Sequence, residues 1–212
     1  MGGVDKLLSE IGGTPVLAHT LKAFQNCGII SEIVVVTRED MLFQVRSICE
    51  KFSIDKTKAI IPGGATRLES VLNGVNAASR NIELIAIHDG ARPCIENSII
   101  ESTVSAAAKH HAAAPGVKIS STVKKVKNSI IVETINRDEL YEIQTPQVFT
   151  AEIIIGALTL AKKKSINVTD DCMAAEILGV PVHVTEGSHL NIKITTPEDI
   201  ILAEAILRHG TS

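Results

Sequence analysis

The chain has 212 residues, 45% of them apolar, and 24 acidic against 21 basic side chains give a net charge of −3. That balance excludes wholesale disorder and gives no general pull toward nucleic acid or an acidic membrane. With no Trp, one Tyr and four Phe, there is little from which to build a base-stacking platform.

Asp5 to Val16 reads as a loop or short strand entering a helix over Leu17 to Phe24. A parallel α/β domain usually opens with its central strand, so the chain reads as starting after its first βα loop. Glu32 to Thr37 is a continuous β-branched run, the mark of a strand buried on both faces. A helix follows from Met41 to Phe52. The short apolar strand Ala59 to Ile61 ends at Pro62-Gly63-Gly64, and Thr66 to Ala78 has helical spacing of Leu68, Val71, Leu72 and Val75. Leu84 to Ile87 is another buried strand, ending at His88-Asp89-Gly90. It is followed by a helix over Asn97 to Lys109 and a strand over Ala113 to Lys118.

The pattern breaks at Ser121 to Ile135. Two alternating runs, Thr122 to Lys127 and Ile130 to Thr134, flank Asn128-Ser129 and predict a hairpin arm with one wet face. A two-stranded ribbon is marginal alone, so this arm should pack on the body or on a second subunit. Thr145-Pro146-Gln147-Val148-Phe149 reads as a rigid corner. Helices are expected over Ala151 to Lys163 and Asp170 to Leu178, strands over Val180 to Val184 and Leu190 to Ile194, and a last helix from Thr196 to Arg208.

The whole predicts a single α/β domain over 1–212: a mostly parallel sheet with helices on both faces and right-handed crossovers. An arm at about 120–145 protrudes from it. Ligands in such sheets gather at the carboxyl ends of the strands. Cys27, Cys49, Cys94 and Cys172 form no C-x-x-C pair and lack zinc spacing, which suits reduced thiols and no structural metal. No apolar run is long enough to span a bilayer, and the expected setting is soluble and cytoplasmic.

Three segments could carry chemistry. Gly63-Gly64 stands just before a helix, where free N–H groups meet anions; Thr66 with Glu69 could equally be a capping box and nothing more. In His88-Asp89-Gly90-Ala91-Arg92-Pro93, Asp89 is set to hold Mg²⁺ beside substrate phosphates. Arg92 is a fork for phosphate or a base carbonyl, or else closes an internal Asp–Arg pair, and His88 is a packing residue. Lys193, between Ile192 and Ile194, needs an anionic partner: a phosphate or an internal carboxylate. Thr169 is the N-cap candidate of its helix. No G-x-S-x-G, zincin, Walker A or G-x-G-x-x-G sequence is present, which removes the commonest hydrolase, P-loop and dinucleotide readings.

Six segments in order resemble the 2-C-methyl-D-erythritol 4-phosphate cytidylyltransferase family. They are Asp5-Lys6, Gly63-Gly64-x-x-Arg67-x-x-Ser70-Val71, His88 to Pro93, Thr145-Pro146-Gln147-x-Phe149, Thr169-Asp170-Asp171, and Asn191 to Thr195 with Pro197-Glu198-Asp199. The resemblance spans essentially the whole chain. It implies a Rossmann-like nucleotidyltransferase fold, transfer of CMP from CTP to the polyol phosphate with release of pyrophosphate, Mg²⁺ dependence, and a homodimer held by the arm. It also implies roles. Lys6 would stabilise the pentacoordinate α-phosphate, and Asp89 would place Mg²⁺ and the sugar phosphate. Ser70 and Arg92, with backbone near Gly64 and Ala91, would hold CTP. Lys193 and Thr169 would orient the second substrate, and Thr134 would reach it from the neighbouring subunit.

Members of that family begin with a strand and a glycine-rich, arginine-bearing loop, and Met1 falls just after that arginine. The expectation for the 212 residues as they stand is therefore weak or absent CTP turnover. Ala65 stands where many members carry an acidic residue, and Ala151 where some carry arginine. The rival readings are a cytidylyltransferase for ribitol 5-phosphate and a non-catalytic module that binds partners or dimerises through its arm.

Overall fold

The computed structural model describes residues 6–209. Two short strands, β1 (Glu10–Ile11) and β2 (Thr14–Pro15), pair antiparallel and lead into α1 (Val16–Asn26). Next come β3 (Ile33–Thr37), α2 (Leu42–Lys51), β4 (Thr57–Pro62), α3 (Arg67–Ala77), β5 (Leu84–Ile87), α4 (Asn97–His110) and β6 (Ala112–Lys118). The arm is β7 (Val123–Lys127) and β8 (Ile130–Ile135), after which β9 (Tyr141–Ile143) rejoins the body against β6. The chain closes with β10 (Gln147–Thr150), α5 (Ala151–Lys163), α6 (Asp171–Ile177), β11 (His183–Glu186) and α7 (Pro197–His209).

The α/β class stands, and the main sheet is mixed. Its order is β11-β6-β10-β5, with β9 also on β6. β10 runs antiparallel to both β5 and β6, whereas β6 and β11 are parallel, so β5, β6 and β11 share one direction. β3 and β4 form a separate parallel pair.

Thr145 to Phe149 is thus more than the expected corner. Gln147 to Thr150 is a central strand, with Val148 and Phe149 fully buried. Two apolar residues between Gln147 and Thr150, next to a proline, carry too little period to declare a strand. The expected strand at Leu190 to Ile194 does not form: Leu190 and Asn191 lie in a turn, with the Ile192 N–H on the Leu190 carbonyl, and irregular chain follows; the strand before it is shifted to His183–Glu186. β3 and β5 are the expected strands, but neither is buried on both faces. Only Val35 of β3 is buried, and all four residues of β5 are half-buried, because an open slot runs beside them.

The core divides about the main sheet. Ile85 and Ile87 face a cluster built from α3, α5 and α6. Leu84 and Ala86 face the other, built from α1 and α4 around Phe24, Ile100 and Val104. This alternation puts helices on both faces, as the sequence implied. A smaller cluster of Ile11, Val16, Ala91, Cys94, Ile194 and Ala203 pins the segment after β5 against α7 and the 191–194 stretch. The arm is a twisted ribbon whose Asn128 and Ser129 have φ of 50° and 63°, the left-handed pair that a two-residue turn requires. Its Val126, Ile130, Ile131 and Val132 are exposed.

Candidate active site

The end of β5 delivers a carboxylate between two cations. Asp89 Oδ2 lies 2.9 Å from Lys193 Nζ and 3.5 Å from Arg92 Nε. Burial alone would raise the Asp89 carboxyl. The hydrogen bond and charge of Lys193, with Arg92 behind it, outweigh burial and hold it below the usual carboxylate range. The two cations differ in kind. The Arg92 side chain is 8% exposed and gives Nη1 to the Asn191 carbonyl at 2.7 Å, so it fulfils the internal-pair reading of the sequence. Lys193 is 42% exposed, with its Nζ on Asp89 at the rim of the sheet.

Irregular chain suffices to aim Lys193 because both flanks are tied. Ile194 is fully buried and donates its N–H to the Ala91 carbonyl at 2.8 Å. Asn191 is also fully buried, and its Nδ2 donates to Gln144 Oε1 and to the Thr145 carbonyl. Ala91 is buried within this frame. Leu7, one residue past Lys6, packs beside Gly90, and its carbonyl accepts the Leu17 N–H at 3.1 Å. The chain at Lys6 therefore enters beside the same strand end as Asp89.

His88 is packed, as its place at the strand end implied. Burial pushes its imidazole down to about 4, its Nδ1 shares a hydrogen bond with Thr145 Oγ1 at 3.0 Å, and its ring stands 4.8 Å from that of Phe24. Thr145 Oγ1 also accepts the Asp89 N–H at 3.1 Å, and a cis peptide joins Thr145 to Pro146.

The glycine segment forms the second wall. Ser70 Oγ accepts the Gly64 N–H at 3.0 Å and donates to the Thr66 carbonyl at 2.9 Å. A Cβ on Gly64 would sit 2.3 Å from Glu69 Cβ, so only glycine lets the loop fold this closely onto α3. The capping box forms in part: Thr66 Oγ1 accepts the Glu69 N–H, while the Glu69 carboxylate reaches back to the Ala65 N–H.

Arg67 and Asp171 tie this wall to α6. The guanidinium donates bidentately to the fully buried Asp171 carboxylate at 3.0 and 2.5 Å. Gln147 accepts the N–H groups of Asp171 and Cys172 and donates to Asp170. Asp170, not Thr169, caps α6, accepting the Met173 N–H at 2.9 Å, because the helix starts one residue later than expected. Thr169 is left exposed at that helix end, with its hydroxyl on Met173 Sδ.

Asp89, Arg92 and Lys193 therefore meet. Gly64 and Ser70 stand together on the wall formed by α3, and Thr169 lies at the start of α6. Thr134 is elsewhere: it sits on the exposed arm and accepts a 2.6 Å hydrogen bond from Lys124 Nζ. Sequence reasoning assigned no role to Gln144, Thr145, Gln147, Asn191 or the Arg67–Asp171 pair. The proline-flanked run Gln144-Thr145-Pro146-Gln147 and the acidic pair Asp170-Asp171 were the available signals.

Nothing here is an activated protein nucleophile. All four cysteines are buried and free, and burial pushes the thiols of Cys49, Cys94 and Cys172 up, Cys94 to about 11. The buried imidazole of His88 is neutral. What remains is a sheet end that gathers cations around one carboxylate beside a glycine loop, the layout of a nucleotidyltransferase, whose substrates bring the reacting groups.

The family is more specific. The family model for IspD, 2-C-methyl-D-erythritol 4-phosphate cytidylyltransferase, matches residues 1–209, and the chain belongs to this family. It is similar to the enzyme of that name from Halalkalibacterium halodurans, with 41% identity over 97% of this chain and 90% of the relative. It is 42% identical to that of Clostridium botulinum strain Langeland over 98% and 91%. Among solved structures it resembles 4-diphosphocytidyl-2C-methyl-D-erythritol synthase from Anaerococcus prevotii, with a TM-score of 0.86 and 35% identity over 94% of this chain and 88% of that one. The enzyme from Thermus thermophilus gives a TM-score of 0.80 at 28% identity, over 96% and 94%.

Proposed function

We propose that the protein transfers CMP from CTP to 2-C-methyl-D-erythritol 4-phosphate. An oxygen of the sugar phosphate attacks the α-phosphorus, forming one P–O bond; the α–β bond breaks and its electron pair leaves with pyrophosphate. The single observation that carries this reading is the Lys193–Asp89–Arg92 cluster at the end of β5, in a chain whose relatives bear that enzyme's name.

The chemistry asks the protein to bring two polyanions together and to counter charge growing at phosphorus, so positioning and fixed positive charge do most of the work. Lys193, half-exposed and aimed by its buried neighbours, supplies mobile positive charge to a substrate phosphate. Arg92, buried, positions Asp89 and the Asn191 segment. Lys6 adds a second cation at the α-phosphate. The loop at Gly64, with Ser70 and the backbone at Ala91, holds CTP, and Thr169 orients the sugar phosphate.

The donor set suits Mg²⁺. One partly exposed carboxylate at the mouth is what an ion held chiefly by substrate phosphates and water requires, and among the described residues no three-ligand cage competes for it. Asp89 would hold the ion, which when bound would neutralise phosphate charge. The exposed arm is read as the dimer contact that presents Thr134 to the neighbouring site. The partners are CTP and the polyol phosphate, with no nucleic acid or membrane. No helix of the described residues is long and apolar enough to cross a bilayer, and the setting proposed is cytoplasmic.

The test is pyrophosphate release from CTP and Mg²⁺, with 2-C-methyl-D-erythritol 4-phosphate and ribitol 5-phosphate offered in competition. Release driven by the first supports the assignment. Preference for ribitol 5-phosphate overturns it, as does release that Asp89→Asn and Lys193→Ala leave unchanged.

A further inference from the structure

The two walls of the site are borne by separate helices, and each wall is reached through exposed chain. Gly64, Ala65 and Thr66 lead into α3 and Thr169 leads toward α6, and all four are exposed. α3 and α6 both pack on α5 through apolar side chains, among them Leu68, Leu158 and Ala174. Apolar contact is non-directional and does not by itself fix where either helix begins.

Arg67 and Asp171 are the first residues of these two helices. The guanidinium gives Nη1 to one carboxylate oxygen and Nη2 to the other, at 3.0 and 2.5 Å. Such a fork fixes angle as well as distance, whereas a lysine would act as a point charge. Asp171 is anchored in turn: its side chain is fully buried, and its N–H is held by Gln147 Oε1 from the central strand β10. Separation would leave a buried carboxylate without its cation, which keeps the fork closed. Arg67 is partly exposed and lines the same opening as Ser70 and Asp89. The clasp therefore lies between the two walls, beside the end of β5.

We propose, on the reading of the site given above, that Arg67 and Asp171 are positioning residues whose ion pair sets the span between the nucleotide wall and the sugar-phosphate wall. In-line transfer needs the reacting atoms about 3–3.5 Å apart, and an error of about 1 Å costs on the order of 100-fold. A ligand on one wall does not sense the span. A ligand that reaches both gains from its own linkage only when the span matches it. A pair that merely stabilised the fold would make no such distinction.

The test is calorimetric titration of the purified chain, with Mg²⁺, against three ligands. CTP occupies the first wall, 2-C-methyl-D-erythritol 4-phosphate the second, and the joined product, 4-diphosphocytidyl-2-C-methyl-D-erythritol, both. In the variant carrying Arg67→Met with Asp171→Leu, the ion pair gives way to apolar side chains, an exchange that commonly keeps stability. Its dissociation constants for the two single ligands are expected to stay within about 2-fold of native, while that for the product rises about 10-fold or more. Arg67→Lys keeps the charge and loses the fork, so it should weaken the product by about 3-fold or more. That variant decides the matter where the double one does not fold. Product affinity that either folded variant leaves at the native value overturns the proposal, as do three affinities that fall together. Should the native chain bind all three ligands and the variants not tell them apart, only the positioning role fails. Should the native chain bind none, the proposed reaction fails with it.

Discussion

The rim at the end of β5 and the arm are written in similar letters. Lys193 lies between two isoleucines, and Lys124, Lys125 and Lys127 lie among valines. At the rim, Ile194 and Asn191 are fully buried and aim the lysine at a sheltered carboxylate. On the arm, Lys124 and Lys125 end on Thr134 and Glu133 in open solvent, and the apolar side chains beside them are exposed. A lysine in an apolar run is thus informative only once its neighbours are known to be anchored. The rim holds its charges against desolvation with buried amides; the arm holds nothing and offers a surface.

The comparison breaks most visibly in kinetics. Lys193→Ala is expected to lower kcat/KM for pyrophosphate release by about 100-fold or more, the usual order for losing a charge aimed at the transition state. Its thermal midpoint should hardly move, since the side chain is half-exposed. A loss confined to KM would instead assign Lys193 to ground-state binding.

The next effect is on stability. Asp171→Asn leaves Arg67 facing a buried neutral amide, and a cost of about 3 kcal/mol is expected in a denaturant titration. A cost below about 0.5 kcal/mol would mean the pair holds nothing together.

Acid should find the rim before the arm. The folded-state pKa of His88 is depressed, from 6.5 to about 4. Its stabilising contribution is therefore whole above about pH 6.5 and is lost as pH falls toward 4, where the unfolded chain takes up the proton and the native chain resists it. The loss is roughly 3 kcal/mol at most. The denaturation midpoint should drop between pH 6.5 and 4.5, and His88→Gln should flatten the drop. An equal drop in that variant would put the acid sensitivity elsewhere.

On the arm, Ile131→Glu should convert a dimer into monomers in sedimentation equilibrium without unfolding the body. A native chain that sediments as a monomer would remove the dimer contact. Smallest of all, Lys125→Ala should change stability by less than about 0.5 kcal/mol, as expected of an exposed ion pair.

Much of the site was legible along the chain. A carboxylate straight after a β-branched run, glycines before a helix and a lysine inside an apolar stretch each have a local cause, and Asp89, Gly64 and Lys193 fall where those causes put them. Arg92 was legible with two readings open, a fork for a ligand and an internal pair with Asp89, because burial and the distance to Asp89 are set by the fold and not by local sequence. The Arg67–Asp171 pair spans a separation of 104 residues, and no local period carries such information.

The sequence by itself determined the helices, the α/β alternation, the hairpin arm and the candidate residues for meeting phosphate, because each follows from side-chain period, turn chemistry or charge within a few positions. Only the tertiary structure decided that Gln147 to Thr150 is a reversed central strand and that Asp170 rather than Thr169 caps its helix. It alone decided that Lys193 is aimed from irregular chain, and that β3 and β5 face one another across an open slot. Those outcomes rest on which backbone edges and buried amides find partners far away along the chain.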